Sequence, residues 1–221
     1  MNPTAREDQR ALVLLVSLIV LFLISPFASV GHRGEILFII ALYWTFIPAA
    51  MGLSEKHSTR LAALLLAACS LTATVVAQFH PLQAAVTTHY ALVASFYGYV
   101  SVIFFRHLGR PGRITSGRLY VSVSLYLLLG VFYFAVFNLV DALHPGSFVE
   151  SGQPAGTRMS PYSLLYLSLA TLTTLGYGDI VPVTPLARIL AVLEAATGVL
   201  YIAITVARLV AAYQVRQDDK T

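Results

Sequence analysis

The chain has 221 residues, of which 57% are hydrophobic and 11% are charged, and its formal net charge is +4. Soluble domains carry about 25% charged residues, so this composition excludes an ordinary soluble domain and indicates a membrane protein. The single cysteine, Cys69, excludes an intrachain disulfide. The chain also lacks the motifs of zinc-, nucleotide- and serine-dependent catalysis, so we predict no enzyme activity.

Six apolar runs are long enough to cross a bilayer, which requires about 20 residues of helix. The fourth run is the weakest, because hydroxyl side chains interrupt it. The first run is predicted to be an uncleaved span rather than a secretory signal, because its apolar core is longer than that of a signal. The predicted spans are 11–30, 34–53, 61–79, 84–105, 119–140 and 186–213.

Lysine and arginine are distributed unequally between the two sides of these spans. One side has eleven and the other has three, so the positive-inside rule places both termini in the cytoplasm. This bias also explains the basic net charge without a nucleic-acid partner. The eleven are Arg6, Arg10, Lys56, Arg60, Arg106, Arg110, Arg113, Arg118, Arg208, Arg216 and Lys220, and the three are Arg33, Arg158 and Arg188.

A seventh apolar run, 162–173, would be about 18 Å long as a helix, which is too short to cross the membrane. The segment before it, 141–161, is rich in glycine, proline and serine and is predicted to be an exposed outer loop. Ser160 can cap a helix, and Pro161 suits the first helical position. We therefore predict a re-entrant helix, whose partially negative C-terminal end points into the membrane and favours a cation there.

The stretch 171–182, TLTTLGYGDIVP, places polar and glycine residues between two apolar segments. Backbone inside a membrane must be hydrogen-bonded or must face water or ions. Gly176 and Gly178 permit left-handed dihedrals that turn successive carbonyls to one side, and Thr174 can add its hydroxyl oxygen. We predict a strand that presents oxygen atoms to cations. The alternative, a glycine-rich turn by chance, does not explain the capped helix before it and the full span after it.

The segment TTLGYGD, Thr173 to Asp179, resembles the signature of potassium channels. The order of span, short helix, glycine stretch and span extends this resemblance over about 119–213. It implies that four copies surround one axis and that their oxygens replace the hydration shell of K⁺ in a selectivity filter. The ligands of K⁺ that it implies are Thr174, Leu175, Gly176, Tyr177 and Gly178. No cofactor is implied beyond the permeating K⁺.

The sequence departs from the usual pattern of this family around the filter. Leu175 replaces the usual valine or isoleucine, which changes the packing behind the filter but not the carbonyl. Ala170 and Leu167 occupy positions where many such channels carry a carboxylate or a tryptophan that holds the filter aspartate. Tyr166 matches another aromatic position. The residues expected to support the filter are Thr173, Asp179, Tyr166 and Glu194.

Glu194 lies within the last span, where a carboxylate is costly and is a candidate functional residue. We hypothesise that it braces the pore helix or the filter through a hydroxyl such as Ser168 or Thr171. The alternative is a protonated or water-bound acid that only packs.

Gly198 matches a position at which many potassium channels carry a hinge glycine, and close packing by a small residue is the alternative. Four further residues at helical spacing predict a hydrophobic wall of the cavity below the filter. A stripe facing lipid or another helix is the alternative. The four residues are Val199, Ile202, Val206 and Val210.

Two interpretations are open for Arg106, Arg110 and Arg113, at the end of the fourth span. Voltage sensors repeat arginine through the bilayer on a fourth helix. Here the arginines lie beside Gly109 and Pro111, so we interpret them as anchors at the cytoplasmic surface.

The predicted fold is an all-α membrane protein with six transmembrane helices, a re-entrant pore helix and an extended selectivity filter, assembled in the lipid bilayer as a homotetramer. The predicted domains are a four-helix membrane domain at 1–117, a pore domain at 118–213 and a cytoplasmic tail at 214–221, with no soluble regulatory domain. The short loops favour a prokaryotic plasma membrane.

The predicted function is a potassium-selective channel that conducts K⁺ passively and is not voltage-gated. The alternatives are a weakly selective cation channel on the same scaffold and a non-conducting membrane sensor or scaffold subunit.

Overall fold

A computed structural model of the chain describes residues 3–29, 31–52, 57–79, 82–109, 116–154 and 158–218. These residues form eight α-helices, one 3₁₀ helix and two short strands. The helices are α1 Pro3–Ile24, α2 His32–Trp44, α3 Phe46–Met51, α4 His57–Phe79, α5 Gln83–Gly109, α6 Ser116–Leu143, α7 Pro161–Leu172 and α8 Pro185–Asp218. The 3₁₀ helix is Ser25–Ser29, and the strands are β1 Phe148–Glu150 and β2 Ile180–Pro182.

Six segments of the described chain are long and apolar enough to cross a membrane, which confirms the predicted all-α membrane fold. Each one overlaps a predicted span, with ends that differ by a few residues. The last helix also extends beyond its predicted end and is helical through Asp218, into the segment expected to be a cytoplasmic tail. The six segments are Asp8–Ala28, His32–Met51, His57–Phe79, Gln83–Gly109, Ser116–Leu143 and Pro185–Arg208.

The second span is built from two helices, α2 and α3, because Pro48 interrupts it. Proline has no N–H, and its ring clashes with the carbonyl four residues earlier, which here belongs to Trp44. Thr45, at the break, is buried, and its hydroxyl donates to Leu42 O (2.7 Å) and lies 2.6 Å from the hydroxyl of Tyr97. The hydroxyls of Thr45 and Tyr97 are thus hydrogen-bonded at the break, as polar groups in an apolar environment require.

The weak fourth span is a continuous helix, α5, despite its hydroxyl groups. Thr88 donates to Ala84 O (2.8 Å), and Ser95 donates to Ala91 O (2.7 Å). Both hydroxyls are therefore hydrogen-bonded to backbone carbonyls of their own helix. A hydroxyl bonded in this way no longer requires water, and the helix can remain in the membrane.

Helix α6 packs between the helices of the first four spans and the pore helix with the last span. It is the most buried of the six spans and packs against α1, α5, α7 and α8. Phe134 of α6 is buried, and its ring meets that of Phe38 on α2 edge-on, with the centroids 5.9 Å apart. The hydrophobic core is therefore continuous from the first helices to the pore helix.

The outer loop packs against the rest of the protein in places, and the expectation of an exposed segment at 141–161 is wrong for several of its described residues. Asp141 is buried at the end of α6, where its Oδ2 accepts a hydrogen bond from Met159 N (3.0 Å). Strand β1 pairs antiparallel with β2, placing Phe148 opposite Pro182. The loop is therefore fastened to the segment that directly follows the glycine stretch, a pairing that its composition does not reveal.

Little of the arginine cluster after α5 lies within the described residues. Arg106 is exposed in the last turn of α5, whereas Arg110 and Arg113 lie outside the described ranges. At the end of the last span, Arg208 of α8 donates to Leu108 O (3.1 Å), near the end of α5. A cation at this position complements the partially negative C-terminus of α5 and links the two helices.

Candidate functional site

The short helix predicted at 162–173 is α7, Pro161–Leu172. Ser160 is its N-cap, and the Ser160 Oγ accepts a hydrogen bond from Ser163 N (3.1 Å). Proline occupies the first turn, where a missing N–H costs no hydrogen bond. The sequence signals for the start of this helix therefore act as predicted.

After α7 ends, every second residue from 174 to 178 has a positive φ. Thr174, Gly176 and Gly178 have φ values of 59°, 56° and 79°. Both glycines thus adopt the left-handed dihedrals predicted for them. A Cβ added at either one would meet no heavy atom within 4 Å, so the requirement for glycine at these positions comes from φ rather than from space.

Thr174 was not predicted to adopt a left-handed conformation. It is β-branched, and a positive φ at such a residue stores about 1–3 kcal/mol of strain. Strain of this kind persists only where the surroundings hold the residue in place, and it concentrates at functional sites. We infer that the surroundings of Thr174 hold its backbone in this conformation at the start of the glycine stretch.

The end of the pore helix holds the inner part of the stretch. The amides of Leu175 and Gly176 both donate to Ala170 O, at 2.8 and 3.3 Å, and Thr174 N donates to Thr171 O (3.0 Å). Ala170 lacks the polar side chain that many potassium channels carry at this position. Its backbone carbonyl nevertheless fixes where the stretch begins.

At the outer end, Asp179 has a side-chain partner from the pore helix. The hydroxyl of Tyr166 donates to Asp179 Oδ1 (3.1 Å), and the ring of Tyr166 stacks on that of Tyr177, with the centroids 6.4 Å apart and an interplanar angle of 5°. The backbone carbonyl of Asp179 accepts from Ser151 N (2.8 Å) in the outer loop. Tyr166 thus supplies the polar contact that Ala170 and Leu167 do not.

In the single chain, all seven residues from 173 to 179 are exposed, whereas Leu172 and Ile180 on either side are buried. Leu175 is 60% exposed and Tyr177 is 69% exposed. Helix α8 is also the least buried of the six spans. One chain therefore leaves the glycine stretch and the neighbouring helix without contacts on one side.

A family described as "Ion channel" matches residues 121–215, which contain α7, the glycine stretch and most of α8. The potassium voltage-gated channel protein shk-1 of Caenorhabditis elegans is 34% identical over 101 residues, or 45% of this chain. The inward rectifier potassium channel Kirbac3.1 of Paramagnetospirillum magnetotacticum is 30% identical over 91 residues, or 41% of this chain. Over residues 121–215 the chain is therefore similar to ion channels, and both relatives that it resembles carry the name of a potassium channel. The match spans 18% and 25% of the lengths of these two relatives, and no solved structure matches the chain significantly.

Glu194 of α8 is fully buried and contacts the pore helix α7. Its Oε1 is 2.5 Å from the hydroxyl oxygen of Ser168 on the pore helix. That same hydroxyl lies 2.7 Å from Gly130 O on α6 and donates to it. Of the two hydroxyls considered from the sequence, it is that of Ser168 that contacts Glu194.

Two glycines allow the helices around the pore helix to approach closely. A Cβ on Gly198 would collide with Leu172 O, and a Cβ on Gly130 would come within 2.9 Å of Leu169 Cδ2. At Gly198 the structure thus places the close packing that was the alternative to a hinge.

The residues predicted to line the cavity lie on the open part of α8. Val199, Ile202 and Val206 are each at least half exposed in the single chain, at 53%, 50% and 53%. The side chain of Val210 lies outside the described residues. The face formed by the first three is available to a central cavity or to lipid.

Three tyrosines that sequence reasoning missed connect α6 to the pore helix and to α8. Tyr126 donates to Leu172 O (3.0 Å), the hydroxyls of Tyr133 and Thr197 are 3.2 Å apart, and Tyr201 donates to Ser122 O (2.6 Å). Their hydroxyls are polar groups in otherwise apolar spans, and Tyr126 and Tyr133 are seven residues apart on one side of α6. Polar side chains at that spacing lie on one face of a helix, which indicates a contact with another helix.

Proposed function

We propose that four copies of this chain form a potassium-selective channel that conducts K⁺ passively. The observation that carries the proposal is the stretch 173–179, in which left-handed residues alternate and every residue is exposed in the single chain. Such a stretch can present a ladder of backbone oxygens to a dehydrated cation, with Thr174, Leu175, Gly176, Tyr177 and Gly178 as ligands.

The homotetramer follows from the geometry of ion coordination. One chain presents oxygens from only one side of the ion, and a potassium filter requires a ring of them. The unburied stretch and the sparsely covered α8 are the surfaces that such a ring would bury. A closed rotational assembly uses the same surfaces in every copy.

Selectivity for K⁺ over Na⁺ is supported by the Gly-Tyr-Gly core and its bracing. The names of both relatives describe potassium channels. The contacts of Tyr166 with Asp179 and Tyr177 fix the outer end of the ladder, and Ala170 fixes its inner end. These features favour a potassium-selective filter over a weakly selective one.

Conduction is proposed to be insensitive to voltage, although one relative is named as voltage-gated. Helix α5 carries one arginine, Arg106, in its last turn, and no lysine. A voltage sensor requires several cationic residues within the field, each worth about 2.3 kcal/mol per 100 mV. The bias of basic residues to one side further supports a plasma-membrane channel with both termini in the cytoplasm, and the short loops favour a prokaryotic one.

The experiment is K⁺ flux into liposomes that contain only the purified full-length protein, combined with cross-linking to count subunits. We expect K⁺ uptake that depends on the protein and a cross-linked tetramer. A stable monomer without flux would contradict the proposal and favour the sensor or scaffold alternative.

A further inference from the structure

A chain of short contacts joins three helices behind the filter. Glu194 of α8, Ser168 of α7 and the carbonyl of Gly130 on α6 meet with oxygen separations of 2.5 Å and 2.7 Å. Both side chains are fully buried. Ser168 also lies only two residues before Ala170, whose carbonyl holds the amides of Leu175 and Gly176. The contact chain is therefore attached to the support of the filter.

The number of hydrogen atoms available determines how these contacts are made. A serine hydroxyl has one hydrogen, and a backbone carbonyl can only accept. The 2.7 Å contact with Gly130 O therefore uses the Ser168 hydrogen. The 2.5 Å contact with Glu194 then needs a second hydrogen, and the only group that can supply it is a protonated carboxyl on Glu194. With an ionised Glu194, one of the two contacts would bring two acceptors together without a hydrogen.

The surroundings of the carboxyl group favour the same protonation state. Its other oxygen, Oε2, is buried without a hydrogen-bond partner among the described residues. The nearest arginines of α8 along the chain, Arg188 and Arg208, are six and fourteen residues away, about 9 and 21 Å along the helix axis, and Arg216 is farther along the same helix. Arg118, the only Lys or Arg of α6, is twelve residues from Gly130, about 18 Å along that helix.

The tyrosines of the packed helices supply no positive charge. The hydroxyl of Tyr126 on α6 donates to Leu172 O. On α7 the hydroxyl of Tyr166 is bound to Asp179, and Tyr162 lies two turns before Ser168 at the start of the helix. Tyr201 of α8 donates to Ser122 O on α6. An ionised carboxylate left unpaired in such an environment costs several kcal/mol.

We propose that Glu194 is a protonated positioning residue whose carboxyl O–H donates to Ser168, which in turn donates to Gly130 O. This relay holds the pore helix against α6 and α8. It thereby positions the Ala170 carbonyl, which holds the amides of Leu175 and Gly176. Loss of the carboxyl proton at alkaline pH removes the donor, breaks the relay and lowers conduction. The inference rests on the proposed channel function, which it extends to a proton-dependent control of the filter.

The variant that separates this proposal from simple packing is Glu194→Gln. Its amide N–H can donate to Ser168 in place of the carboxyl proton, but it cannot ionise. We expect E194Q to conduct like the wild type at neutral pH and to lack the alkaline loss of K⁺ flux. Glu194→Ala and Ser168→Ala remove the relay, and we expect each to lower flux about tenfold or more at every pH, as loss of a buried hydrogen bond predicts.

Thr197→Val is the matched control. It breaks a different α6–α8 contact, the one between Thr197 and Tyr133, but it removes no ionisable proton. We expect it to keep the alkaline loss of flux seen in the wild type. An E194Q channel with the same alkaline loss as the wild type would overturn the proposal.

An infrared measurement tests the proposal without ion flux. The wild-type tetramer at neutral pH should show a carboxylic acid C=O band that is missing in E194Q and shifted in Ser168→Ala. Absence of that difference band would overturn the proposal even if the channel conducts K⁺. Presence of the band in a protein that does not conduct would uphold the relay and contradict the channel function, so the two failures are distinguishable.

Discussion

Gly178→Ala tests whether the alternating backbone of the filter is needed for conduction. Gly178 has a φ of +79°, and an added Cβ would meet no heavy atom within 4 Å, so the substitution acts mainly through backbone strain. A left-handed conformation costs an L-residue about 1–2 kcal/mol, or about 4–8 kcal/mol for a ring of four copies. The lower value corresponds to roughly a 10³-fold loss of the conducting conformation. We expect K⁺ flux into liposomes to fall by that order while the tetramer persists.

Gly152→Ala is the matched control for this change. Gly152 lies in the outer loop, has a φ of +87° and likewise has nothing within 4 Å of an added Cβ. The substitution therefore imposes a similar strain at a site that contributes no proposed ligand, and we expect flux close to that of the wild type. If G178A conducted like the wild type, or if G152A abolished flux equally, the reasoning about the filter backbone would be refuted.

Tyr166→Phe keeps the aromatic ring but removes its hydrogen bond to Asp179, and we expect shorter openings in single-channel records; unchanged open times would show that this bond does not support the filter. Gly198→Ala forces a methyl group against Leu172 O of the same chain, and we expect the folded protein to be less stable by about 1–3 kcal/mol, measured by thermal unfolding; an equally stable protein would exclude close packing there. Open probability is expected to vary little between about −100 and +100 mV, because one full gating charge alone would contribute roughly 2.3 kcal/mol per 100 mV. A steep sigmoidal activation curve would contradict that expectation.

The features predicted well from the sequence are those that depend on local chemistry. Span lengths follow from apolar runs, and α7 begins where Ser160 and Pro161 indicate. The break in the second span was also readable, because Pro48 cannot continue a regular helix, although we predicted that span as uninterrupted.

The features that were missed depend on which helices become neighbours. Nothing local indicates that Tyr126 would reach Leu172 O or that the outer loop would pair with the strand after the filter. Thr174 would not be assigned a positive φ from its identity, since β-branched residues avoid that region. The packing around the filter imposes that conformation against the preference of the residue.

The most direct test of the account is the reversal potential of currents through the purified protein in a planar bilayer, with K⁺ on one side and Na⁺ on the other. If backbone oxygens of four filters replace the water around K⁺, the potential will lie close to the K⁺ equilibrium value. A reversal potential near zero, with Na⁺ carrying current as readily as K⁺, would contradict the central claim.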